Sequence, residues 1–125
     1  MTKKYLELND ISAYRIAFDL SNYVWDIVIK WDYFAKDTVG KQLAKAIDSI
    51  SANIAEGFGR YFKKDKINFY RYSYGSIKES FDWIEKANKR GLLKESEYKH
   101  ISEELNKLPK EINSLIKFTN ERLTI

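Results

Sequence analysis

The sequence predicts an all-α protein, an antiparallel up-down-up-down four-helix bundle made by one domain over residues 1–125. Three observations predict it. Apolar residues recur at steps of three and four along four long segments, which is the period of a helix and not of a strand. One proline and five glycines leave few points where a helix must stop. The connections between the segments are short, which makes sequential helices antiparallel neighbours. With 44% hydrophobic and 15% aromatic residues, the chain can fill the core such a domain needs.

The first helix is expected from about Asp10 to Tyr33, with Asn9 or Asp10 as its cap. Its polar residues, Arg15, Asp19, Asn22, Asp26 and Lys30, form one narrow stripe. The rest is apolar on two sides: Ile11, Tyr14, Phe18, Trp25 and Ile29 on one, Ile16, Leu20, Val24, Ile27 and Trp31 on the other. A bundle helix needs only one buried stripe. The surplus predicts a homo-oligomer, with Leu20 and Ile27 taken as marking the subunit contact.

Residues 34–38 are expected to connect to a second helix capped by Asp37 or Thr38 and running to about Phe58. Within it Leu43, Ile47, Ile50, Ile54 and Phe58 share a core face. Gln42, Ser49, Asn53, Glu56 and Arg60 form a polar seam beside that face, with Ala46 and Gly57 between the lines. The seam predicts close packing of another helix or subunit, buried hydrogen bonds for Asn53, and Arg60 or a donor from a neighbouring chain as the partner of Glu56. Gly57 and Gly59 are expected to end the helix in a left-handed conformation.

A basic turn leads to the third helix, Lys64 to Lys89, closed by Gly91. Its core seam is Ile67, Tyr70, Tyr74, Ile77, Phe81 and Ile84. A second stripe, Phe69, Ser73, Ser76, Ser80, Trp83 and Ala87, is small enough for close approach, and Gly75 is expected at a tight contact. The fourth helix, about Glu95 to Arg122, keeps the apolar spacing of Tyr98, Ile101, Leu105, Leu108, Ile112 and Leu115 through Pro109. One bent helix is expected there. There is no internal repeat or low-complexity linker.

Composition excludes several chemistries. Without cysteine there are no disulfides or thiolate metal sites. Glu97 and His100 match half of a di-iron spacing, but that centre needs two such motifs, and His100 is the only histidine. No base is placed to activate Ser49 or Ser51. No enzyme activity, metal or cofactor is expected. No apolar run reaches signal-peptide or membrane-spanning length, so a cytoplasmic protein without membrane contact is expected.

The net charge of +4 is concentrated in the middle of the chain: residues 36–78 carry nine basic against four acidic residues. Lys64, Arg71 and Lys78 recur at heptad steps on the third helix. Lys45 stands on the second, and Arg60 and Lys63 crowd the turn between. Tyr61, Phe62, Tyr70, Tyr72 and Tyr74 interleave with them. Cations for phosphates beside aromatics for bases are the parts of a surface for RNA or single-stranded DNA.

Gln42-Leu43, Ala46, Ser49-Ile50 and Asn53-Ile54-Ala55-Glu56-Gly57 resemble the signature of the four-helix-bundle proteins encoded within bacterial 23S rRNA intervening sequences. Gly75-Ser76 followed by Glu79 resembles their third-helix pattern. The resemblance implies ring-like homopentamers. It also implies a fold similar to the accessory variability proteins of diversity-generating retroelements, whose basic surface engages reverse transcriptase and nucleic acid. The chain departs from the pattern at Ala44, where arginine is common, at Phe62, where a capping serine is usual, and at Pro109. The expected function is a non-enzymatic, homo-oligomeric, RNA-binding accessory protein. The alternative is a protein-interaction or assembly module, such as a partner of a reverse transcriptase or other polymerase.

Overall fold

The four apolar-periodic segments form four helices in a computed structural model that describes residues 6–123. They are α1 (Ser12–Val28), α2 (Lys41–Phe58), α3 (Lys63–Lys89) and α4 (Glu95–Arg122). Each packs on two others in a closed ring: α1 on α2, α2 on α3, α3 on α4, and α4 back on α1. Cross-helix contacts fix the directions. Ser73 Oγ donates to the Ile50 carbonyl at 2.7 Å, while Gly57, later in α2, meets Tyr70, earlier in α3. Tyr98 at the start of α4 bonds Glu85 late in α3, while Lys63 at the start of α3 reaches the Leu123 carbonyl. α2 and α3, and α3 and α4, therefore run antiparallel. No helix among the described residues is long and apolar enough to cross a membrane.

The core follows the spacing. Leu43, Ile47, Ile50 and Ile54 of α2 are fully buried and meet Ile77 and Ile84 of α3 and Ile101, Leu105, Leu108 and Ile112 of α4. Burying each such side chain contributes about 1.5–3 kcal/mol. Ser73 and Ser80 are equally buried, and both satisfy their hydroxyls on helix carbonyls. α4 runs unbroken through Pro109.

Several local expectations are corrected. The first helix stops at Val28, not Tyr33, because the Lys30 and Trp31 N–H groups tighten onto the Ile27 and Val28 carbonyls. Asp32 then starts the next helical run, accepting the Ala35 N–H at 3.0 Å. That run, Tyr33–Ala35, passes through a π segment, Lys36–Gly40, directly into α2. Asp37 and Thr38 thus lie inside it and cap nothing; the Thr38 hydroxyl donates to the Phe34 carbonyl. Nor do Asn9 and Asp10 cap α1. Its N-cap is Ile11, without a side-chain bond, and Asp10 accepts the Glu7 N–H at 2.8 Å.

The glycines are also reassigned. Only Gly91 has a positive φ, +74°, where the chain turns from α3 to α4. Gly59 is right-handed at φ −78°. Gly57 serves close approach: a β-carbon there would lie 2.8 Å from Tyr70 Cε1, 2.9 Å from the Lys66 carbonyl and 3.0 Å from Phe69 Cβ. Gly75, expected at a tight contact, has nothing within 4 Å.

The subunit-contact residues need a larger correction. Leu20 is 1% exposed inside the chain's own core, and Ile27 packs half-buried against that core. The face left over is the other one. Phe18, Trp25 and Ile29 are 48%, 54% and 44% exposed, and Tyr14 stacks on Phe18 with ring centroids 5.8 Å apart. The small residues Ala13 and Ala17 explain the choice: they let α1 turn its Leu20–Val24 side inward.

Phe62 is the N-cap of α3, extended and without a side-chain capping hydrogen bond, so the first turn of α3 lacks a side-chain acceptor from its cap. Phe62→Ser should raise stability by about 0.5–1 kcal/mol through a bond to a free N–H of that turn. Urea unfolding of the two proteins checks this.

Candidate nucleic-acid interface

α3 has two flanks. One faces α2: Ser73 bonds the Ile50 carbonyl, and Arg60 stacks over the Phe69 ring at 4.6 Å. The other faces α4, where Glu85 accepts the Tyr98 hydroxyl at 2.6 Å. This carboxylate holds the Tyr98 phenol above its ordinary pKa. Lys64, Arg71 and Lys78 precede Glu85 in steps of seven, so they share its line on the α4 flank. A seven-residue step is about 10.5 Å along a helix, so the three cations span about 21 Å.

All three are exposed. Lys64 and Arg71 make no ion pair among the described residues, and Lys78 Nζ sits 5.4 Å over the Tyr74 ring. Two acidic residues of α3 near the α4 end of the line are already engaged, Asp82 by Lys86 at 2.6 Å and Glu85 by Tyr98. At the other end Lys63 Nζ donates to the Leu123 carbonyl at 3.2 Å. Across the groove α4 presents a matching line, Asn106, Asn113 and Asn120, also exposed and also at steps of seven. Within roughly 80° of Tyr98 around the helix, it lies away from His100 and Glu111, which face α1 through Tyr23 and Ser12. The face therefore offers exposed cations beside amide groups that both donate and accept.

The six cations expected to act together are divided. Lys63, Lys64, Arg71 and Lys78 share the α3–α4 face. Arg60 belongs to the α2 side, paired with Glu56 at 3.0 Å as its spacing predicted and pinned over Phe69. Lys45 is exposed on α2. The aromatics divide too. Tyr70 is buried and Tyr74 half-buried, so neither offers a free ring face. Tyr61, Phe62 and Tyr72 are 71%, 55% and 57% exposed. Tyr72 packs edge-on to Phe69 on the α2 flank.

The polar seam of α2 is satisfied mostly within its own helix. The Asn53 amide donates to the Ser49 carbonyl at 2.9 Å, and the Ser49 hydroxyl to the Lys45 carbonyl at 2.8 Å. Asn53 is half-buried and bonds within its own helix, not across to α3, because the close approach occurs one turn on, at Gly57; the expected buried network is corrected accordingly. Gln42 and Glu56 are exposed. Glu97 accepts the Lys94 N–H at 2.8 Å at the head of α4, and the His100 ring lies 4.4 Å from that of Tyr23. Sequence reasoning missed the asparagine line, although its heptad recurrence was there to read. Attention to charge passed over neutral amides.

Comparison with known proteins agrees with this architecture. A crystal structure from Bacteroides thetaiotaomicron, a protein of unknown function from the S23 ribosomal protein family, superposes with a TM-score of 0.74. It is 19% identical, over 84% of this chain and 98% of its own. At that identity the likeness establishes the fold alone. No curated protein matches. The family model for 23S rRNA-intervening sequence proteins matches residues 9–114, which span the seam of α2, the cation line of α3 and most of α4. The chain belongs to the 23S rRNA-intervening sequence protein family.

Proposed function

We propose that this is a cytoplasmic, non-enzymatic, homo-oligomeric RNA-binding accessory protein, and that the α3–α4 face is its RNA surface. The observation that carries the proposal is the Lys64–Arg71–Lys78 line: regularly spaced, exposed, and flanked by Asn106, Asn113 and Asn120. Point cations on one rigid helix suit phosphates, whereas the amides can accept from or donate to 2′-hydroxyls and base edges. Lys45 and Arg60 stand apart from this face and are left out of the site.

Replacing Lys64, Arg71 and Lys78 together by Gln should weaken binding of a generic single-stranded RNA at least ten-fold. The same change at Lys99, Lys107 and Lys110 should cost much less, because Lys107 is already paired with Glu104 at 2.6 Å. Equal loss in both triple variants would reduce the effect to net charge. Oligomer size serves as the folding control.

Protein docking is the second reading, favoured by one cluster: Arg60 on Phe69, Phe69 against Tyr72, and exposed Tyr61 nearby. Aromatics and arginine are the residues that dominate protein interfaces. For self-association the support is the exposed Phe18, Trp25 and Ile29 strip of α1. Five subunits is the number the family resemblance suggests.

A further inference from the structure

At the end of the bundle where α2 stops and α3 starts, a cavity of about 340 Å³ opens between Ile11, Phe58, Tyr70, Leu115, Phe118 and Thr119. Its walls are apolar, and no carboxylate among the described residues lines it. One cation does. Lys66, from the first turn of α3, is half-buried beside the cavity, and burial pushes its ammonium below the ordinary lysine pKa. Its Nζ donates to the Phe58 carbonyl at 2.7 Å and lies 5.4 Å from the Phe58 ring. That bond satisfies one of the last carbonyls of α2 and uses one of three ammonium donors. The other two remain for a ligand. The Tyr70 hydroxyl, with its pKa raised to about 12 chiefly by burial, is a neutral donor at physiological pH and also lines the site.

We infer that this cavity is a binding site for a small amphiphilic monoanion, a medium-chain carboxylate, with its tail among Ile11, Leu115 and Phe118 and its head on Lys66. Size, lining and charge each point there. The volume lies at the lower end of small-molecule sites and equals roughly eleven waters, each near the size of a methylene. Among the described residues one ammonium stands in an apolar surround, which matches one negative charge and not a polyanion. A carboxylate would also bring back the countercharge that burial denies Lys66. The site lies at the end of the α3–α4 groove and uses none of the Lys64–Arg71–Lys78 line, so it stands independently of the RNA reading.

The test uses the intact chain titrated with octanoate and, in parallel, octanol, followed by calorimetry and by NMR. Octanoate should bind once per chain, about ten-fold more tightly than octanol, and shift the signals of Ile11, Leu115 and Phe118. Lys66→Met keeps the apolar stem of the side chain and removes its charge, and it should bring the two ligands to equal affinity. Lys66→Arg should keep octanoate ahead. Octanol bound by Lys66→Met shows the cavity intact. Should that variant unfold, the wild-type preference and Lys66→Arg decide. Equal affinities in wild type, a preference unchanged by Lys66→Met, or shifts away from this end of the bundle would overturn the inference.

Discussion

Gly57→Ala should destabilise the protein by about 2 kcal/mol, while Gly75→Ala should stabilise it by up to about 1 kcal/mol. Both glycines lie inside right-handed helices, and alanine is the better helix former by about 1 kcal/mol at either place. Packing reverses the sign at Gly57. The added methyl would meet the Lys66 carbonyl at 2.9 Å and Phe69 Cβ at 3.0 Å, and neither is the mobile end of a side chain. α2 and α3 would have to separate where Tyr70 and Ile54 are packed, and overpacking of this kind costs about 1–3 kcal/mol and occasionally more, which outweighs the propensity gain. At Gly75 nothing stands within 4 Å, so the gain is unopposed. Urea midpoints of the two variants measure the difference. Like signs would contradict the assignment of Gly57 to the interhelix contact.

Disruption of the assembly should be the next largest effect. Phe18→Asp combined with Trp25→Asp should give a folded monomer at micromolar concentration. Both side chains are about half exposed in the single chain, so within the bundle they lose little, whereas charges buried between subunits are costly. Leu20→Asp should behave differently. Leu20 is in the core, and an aspartate there should unfold the chain and not dissociate it. Light scattering and circular dichroism on the same samples separate the two outcomes. A wild type that is already monomeric would sink the self-association reading.

Leu20 also shows how far the sequence could be read. Periodicity placed the four helices and nearly all of the core, because steps of three and four are a property of the chain itself. It left α1 with two apolar sides and no means of choosing between them. The choice rests on the packing of Ala13 and Ala17, small residues whose burial a hydrophobic pattern does not advertise. Similarly, the continuity of Tyr33–Ala35 through Lys36–Gly40 into α2 depends on a π segment that the sequence does not announce. Of the candidate site, the heptad line on α3 was legible. Its separation from Arg60 was not, because Arg60 is drawn to Glu56 and Phe69 on the opposite flank. Tyr70 was legible as part of the core seam from its spacing, and it is core, its phenol raised to about 12 chiefly by burial.

The central claim is that the α3–α4 face binds RNA through its phosphates. The most direct measurement is the affinity of the wild-type protein for a single-stranded RNA across a series of salt concentrations. Three phosphate contacts from Lys64, Arg71 and Lys78 predict that log K falls linearly with log salt, with a slope of about −2 or steeper, and varies little with RNA sequence. A slope near zero, or no binding even at low salt, would contradict the account and leave protein docking as the function of this bundle.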